Sequence, residues 1–123
     1  MRSERSFSVE EANLLLPNLR KSLVVVQKAR QVVLSGGERI RRSAPANGGG
    51  RQGREYWKAL AALRREVESI AEGGILLRDA DTGLVDFPTR REGREAFLCW
   101  RLGEDRVGYW HGPDTGYSGR RPI

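Results

Sequence analysis

Cysteine occurs once in this chain, at Cys99, and histidine once, at His111. One cysteine excludes an intrachain disulfide and fits a reducing, cytoplasmic setting. One histidine among scattered carboxylates argues against an ordinary zinc site, which takes several His or Cys ligands. No run of roughly 18 apolar residues exists, so no membrane-spanning helix is expected. The charged start Met1-Arg2-Ser3-Glu4-Arg5-Ser6 leads into no apolar signal core, so secretion is not expected either. Apolar residues make up 38% of the chain, below the globular average. Lysine is scarce too, since nineteen of the 22 basic residues are arginine. Arginine suits phosphate geometry, but a bias spread over a whole chain reads as a GC-rich genome.

What is present is a chain of 123 residues, which fits one domain spanning 1–123 with a core of its own. The net charge of +6 is unevenly placed. Residues 1–54 hold eleven basic against four acidic side chains, and residues 55–123 hold eleven against twelve. Much of the excess sits at Arg39, Arg41, Arg42, Arg51 and Arg54, so nucleic-acid binding through the basic first half ranks third among the functional readings.

Phe7-Ser8-Val9-Glu10-Glu11-Ala12 reads as a helix start. Ser8 can cap the free amides while Glu11 reaches back, a capping box with Phe7 as its apolar staple. Ala12, Leu16, Leu19, Leu23, Val26 and Val33 follow three- and four-residue steps, interrupted at Arg30. The pattern predicts a helix over about 9–34 with a kink or restart at Pro17, which lacks an amide donor. Gly36 to Gly53 holds six of the fifteen glycines and reads as a flexible, basic connection. It is no phosphate loop, because no Gly-Lys-Ser/Thr ending follows and no strand precedes. A second helix is expected over about 54–72, with Tyr56, Leu60, Leu63, Val67 and Ile70 as a heptad seam and Gly73-Gly74 as its stop. Two such helices form an antiparallel hairpin, and their seams can also recruit a second copy.

The rest, about 75–123, is strand-like. Ile75–Asp79 and Leu84–Pro88 flank an Asx-rich turn at Asp79-Ala80-Asp81-Thr82-Gly83. That turn is no calcium loop, because the glycine spacing and the terminal glutamate are wrong and Asp86 enters a strand. Thr89 to Glu95 reads as a charged turn. Phe97–Leu102 and Val107–His111 complete a meander, and Gly112–Ile123 is a loop or a last extended segment. The fold class is therefore α+β, an antiparallel two-helix hairpin packed on an antiparallel sheet of three to five strands.

Three phrases recur together in a known family. They are Phe7-Ser8-Val9-Glu10-Glu11-Ala12-Asn13 with Leu15-Leu16-Pro17, then Asp81-Thr82-Gly83-Leu84-Val85-Asp86-Phe87-Pro88. The third is Leu98-Cys99-Trp100-Arg101-Leu102-Gly103-Glu104, running on to Tyr109-Trp110-His111 and Gly116-Tyr117-Ser118-Gly119-Arg120. The chain resembles the bacterial domain of unknown function 2203. The resemblance covers nearly its whole length and implies a bacterial cytoplasmic setting. It brings no activity, cofactor or functional residue.

A turn centred on Glu104-Asp105 sets Leu98 opposite His111, Trp100 opposite Tyr109 and Leu102 opposite Val107. All of these then share one face. His111 would crown an aromatic patch as a proton shuttle or metal ligand, or simply be a hydrogen-bonded residue at a strand end. Arg101, Arg120 and Arg121 could face an anion over Trp100, Tyr109 and Trp110. Equally, Trp100 and Tyr109 could pack as core, or arginine and aromatics could form an interaction surface. Cys99, on the face opposite Trp100, reads as a small buried hydrophobe.

No catalytic set emerges, so the leading reading is a non-enzymatic interaction or assembly module that forms a homodimer or docks a protein partner. The alternative is a small-ligand or metal-binding protein with a site at Trp100, Arg101, Glu104, Tyr109, His111, Asp114 and Arg120, its metal or cofactor unidentified. No membrane partner is expected.

Overall fold

The computed structural model describes residues 5–47 and 50–123, the side chains of 38–47 and 51–52 excepted. Helix α1, Val9–Asn47, opens on the expected box: the Ser8 amide donates to Glu11 Oε1 at 2.8 Å and the Glu11 amide to Ser8 Oγ at 3.0 Å. Phe7 is buried edge-on against Phe87, and its amide donates to the Pro88 carbonyl at 2.8 Å. The helix entry is thereby fastened to the sheet.

The expected extent of α1 is corrected. The helix is continuous through Pro17, with no restart. Proline forfeits one bond toward Asn13, whereas Leu16, Leu19 and Leu23 around it are buried in the core. The helix also runs on through Gly36 to Asn47, and α2 spans Gly50–Glu72, so most of the expected loop is helical. Tyr56 of α2 explains the glycines. A Cβ on Gly36 or Gly37 would meet its ring at 3.6 Å and 3.3 Å. Bare backbone lets the helices approach closely there, and that packing offsets a helix cost of about 1 kcal/mol per glycine. Gly48 and Gly49 lie outside the described residues, as do the side chains of Arg39, Arg41, Arg42 and Arg51.

At the far end α2 stops as predicted. Gly74, at φ 87°, donates to the Ala71 carbonyl at 2.9 Å and the Ile75 amide reaches the Ile70 carbonyl at 3.2 Å. The heptad seam of α2 is incompletely covered: Ile70 is buried, Tyr56, Leu60 and Leu63 are half-buried, and Val67 is open to solvent.

Five antiparallel strands follow in the order of the chain: β1 Leu76–Asp79, β2 Leu84–Arg91, β3 Arg94–Arg101, β4 Tyr109–His111 and β5 Arg121–Pro122. The Asx turn between β1 and β2 forms as read, with Asp79 accepting from the Asp81 amide at 3.0 Å and from the Thr82 hydroxyl at 3.2 Å. The supposed charged turn 89–95 is mostly strand. Only Glu92 and Gly93 turn, both left-handed at φ 54° and 77°, the two-residue geometry that matches strand twist.

The β3–β4 register is also corrected. Phe97 pairs with His111, Leu98 with Trp110 and Cys99 with Tyr109, one residue off the expected alignment. Leu102–Gly108 is a loop rather than a tight turn, because its groups are taken by the helix layer. Asn13 Oδ1 accepts from the Val107 amide at 2.8 Å, Arg20 donates to the carbonyls of Glu104 and Asp105, and Val107 is buried. A slip of one residue exchanges the faces of a strand.

The core lies between α1 and one sheet face, where Ala12, Leu16, Leu23 and Val26 meet Val85, Phe87, Leu98 and Trp100. The opposite face is covered by residues 112–120, including a short 3₁₀ turn at Tyr117–Gly119. Among the described residues no helix is long and apolar enough to cross a membrane.

Candidate ligand site on the outer face of the sheet

Alternation along β2, β3 and β4 sends Val85, Phe87, Leu98 and Trp100 toward the helices. Asp86, Phe97, Cys99, Tyr109 and His111 then point the other way. Asp86 pairs across β2–β3 with Cys99, which pairs with Tyr109, while His111 sits opposite Phe97. The outcome is a row of ionisable groups on the outer face. Asp86, Cys99 and His111 are all buried there, their donor atoms within 4.8 Å of one another.

The hydrogen bonds around this cluster are specific. His111 Nδ1 lies 2.8 Å from the Gly112 carbonyl, which can only accept, so this nitrogen carries a proton. Nε2 faces Asp86 Oδ2 at 2.9 Å. Arg78 Nε donates to the same Oδ2 at 2.8 Å. Asp86 Oδ1 has no hydrogen-bond partner, and it is the one such buried side-chain atom among the described residues. Phe97 stacks on His111 at 5.4 Å, and the Arg78 guanidinium lies over the Phe97 ring at 5.3 Å.

Beside the cluster, Arg120 bonds both oxygens of Glu104 and points Nη1 at Cys99 Sγ, 3.8 Å away. Its guanidinium lies over Tyr109 at 3.9 Å and Tyr117 at 4.3 Å, with Arg101 over Tyr117 at 5.4 Å. Burial, reinforced by Asp86, pushes the Cys99 thiol up to about 11 although Arg120 opposes the rise. Burial would by itself raise the Glu104 carboxyl, but the Arg120 bonds and the Arg101 amide at 2.9 Å outweigh it and hold Glu104 below the ordinary range. Glu104 and Cys99 likewise outweigh burial at Arg120 and raise it, keeping it cationic.

A cavity of about 330 Å³ opens on the cluster, lined by Arg78, Asp86, Phe97, Cys99, His111 and Tyr117, with Pro113, Thr115 and Gly116 from the covering segment. A second cavity of about 490 Å³ shares the His111 wall; its cations Arg91, Arg94 and Arg121 are balanced by Glu92, Glu95 and Asp114.

Of the residues singled out from sequence, the fold gathers His111, Tyr109, Glu104, Arg120 and Arg101 on the outer face. It separates Trp100, which is fully buried toward α1, its indole donating to the Glu104 carbonyl at 3.1 Å under the Arg20 guanidinium. Asp114 is exposed at the rim of the larger cavity. Asp86, Arg78, Phe97 and Tyr117 were missed, and Cys99 was set aside. Asp86 did carry a signal, being a charged residue between Val85 and Phe87 in the otherwise apolar stretch Leu84–Pro88.

The family model described as "Uncharacterized conserved protein (DUF2203)" matches residues 5–123, essentially the whole chain. The chain belongs to that family. No curated protein and no solved structure matches it. In this DUF2203 chain all of the outer-face cluster, from Arg78 to Arg120, falls inside the matched region.

Proposed function

We propose that this DUF2203 chain is a small-ligand-binding protein whose site is the cavity on the outer sheet face. The observation that carries this reading is the unsatisfied oxygen of Asp86 at the cavity floor. Buried polar atoms are nearly always paired, and leaving one unpaired costs about 1–3 kcal/mol. An aspartate whose side chain is only 3% exposed, with one oxygen paired and the other empty-handed beside a cavity, is the signature of a group kept for a ligand. The aromatic walls Phe97 and Tyr117 and the cation Arg78 supply shape and charge for a polar guest.

Native mass spectrometry of protein purified without chelator tests this. The expected result is a bound mass that is lost in Tyr117→Ala and Asp86→Asn. A clean unliganded mass, together with no thermal shift across a metabolite and metal panel, overturns the reading.

Assembly through the helix pair is a second reading, supported by one observation. Trp57 is 63% exposed and Leu34 59%, both within a turn of the Gly36–Tyr56 crossing. Exposed large apolar groups clustered on one level favour a second copy or protein partner there. Light scattering of wild type against Leu34→Ser/Trp57→Ser decides it, since a monomer in both removes the support.

A further inference from the structure

The geometry points to Asp86, Cys99 and His111 as the three protein ligands of a divalent transition-metal ion of the zinc class, bound tetrahedrally with its fourth position open to the cavity; this names the ligand of the binding site proposed above and rests on that reading.

Three independent features converge on it. First, the donor atoms are one carboxylate oxygen, one sulfur and one imidazole nitrogen within 4.8 Å of one another. That is close enough for bonds of about 2.0–2.3 Å to a common centre after small side-chain movements. Second, two ligands already have their outer hydrogen bonds. His111 gives its Nδ1 proton to the Gly112 carbonyl, which leaves Nε2 as the coordinating atom. Asp86 has Oδ2 tied by Arg78 while Oδ1 is unpartnered. Metal-bound histidines and carboxylates are typically oriented in this way, by a backbone carbonyl or a second polar group. Third, Nε2 and Asp86 Oδ2 face each other at 2.9 Å. With the Nδ1 proton already placed, both atoms are electron-pair donors unless a positive species lies between them. A cation reached by Nε2 and by the free Oδ1 relieves that opposition.

Sulfur in the set disfavours magnesium and calcium, which select oxygen donors. Three protein donors leave a position for an exchangeable ligand, the arrangement of catalytic rather than structural zinc. That position faces Tyr117 and the segment 113–117 that roofs the cavity. Formation of the centre releases the Cys99 thiol proton to solvent, and no electron is transferred.

The test is a titration of the full chain with Co²⁺ alone, followed by displacement with Zn²⁺. The expected result is one equivalent of Co²⁺ with tetrahedral visible bands and a sulfur-to-cobalt charge-transfer band. Cys99→Ala abolishes the charge-transfer band, and His111→Gln and Asp86→Asn each weaken binding by at least tenfold. Arg78→Ala, which touches no metal, weakens it by about ten- to a hundredfold. Because ligand variants can lose folded protein, X-ray absorption of the wild-type Zn²⁺ form stands beside them. It should show one sulfur at about 2.3 Å among otherwise nitrogen and oxygen neighbours. A zinc shell without sulfur, or octahedral cobalt spectra, overturns the proposal. A bound organic mass that survives chelator and is lost in Tyr117→Ala also overturns it while sustaining the wider binding reading. Neither Co²⁺ uptake nor any bound mass overturns both.

Discussion

Glu104 and Arg120 form an ion pair beside the candidate site, and their charges act on stability with a definite sign. Glu104 titrates below the ordinary glutamate range, so its folded form is favoured above about pH 4.3. That stability is fully present at neutral pH and is lost as pH falls through the depressed folded value. Glu104→Gln should therefore cost about 1–2 kcal/mol at pH 7. The difference from wild type should shrink in urea melts as pH falls through the depressed folded value, and vanish once the Glu104 carboxyl is protonated in the folded state as well. Cys99 behaves in the opposite sense. Its thiol, buried and pushed up to about 11, stays protonated at pH 8. A disulfide reagent should react with the metal-free native protein only as fast as the protein opens, and at full rate in denaturant. Rapid native modification would remove Cys99 from the buried cluster. The sequence shows the cysteine as buried but not as one member of a polar group, because its neighbours come from the two flanking strands and the β3–β4 register is decided by tertiary contacts.

At the scale of elements, the turns and caps are where local chemistry can be tested. Glu92 holds a left-handed conformation at φ 54° that asparagine or glycine adopts more readily. Glu92→Asn should raise stability by roughly 0.5 kcal/mol in chemical denaturation. Gly83 is the reverse case. It is left-handed at φ 72°, and a Cβ there would stand 2.6 Å from Leu102 Cβ, so Gly83→Ala should cost about 1–3 kcal/mol or more. The capping box, the Gly73-Gly74 stop and the Asx turn were legible because each is satisfied within four or five residues. The β3–β4 register was not. It depends on Asn13 and Arg20 of α1 holding the Leu102–Gly108 loop open, bonds that span more than eighty residues. Asn13→Ala should loosen that loop, seen as faster amide exchange at Val107.

For the whole molecule, the division of labour between sheet faces decides which substitutions matter. Leu23, fully buried between α1 and the sheet, should cost about 2–5 kcal/mol when cut to alanine. Trp57→Ala, on the exposed side of α2, should leave monomer stability within about 0.5 kcal/mol. A large loss there would show that Trp57 is covered in solution by another chain. Thermal and urea unfolding at two protein concentrations separate these outcomes.

Periodicity and local chemistry in the sequence alone determined two helices, a meander of strands, their caps and turns, and the family. Such features depend on side-chain spacing and on bonds between near neighbours, both readable along one dimension. The tertiary structure alone decided that α1 continues through its glycines, because Tyr56 packs against them from another helix. It alone decided the partner of His111 as well. Side chains alternate with a period of two residues, so the length of one loop determines which face a strand presents. Here that loop is held open by the helix layer, and His111 meets Asp86 and Cys99 rather than Trp100.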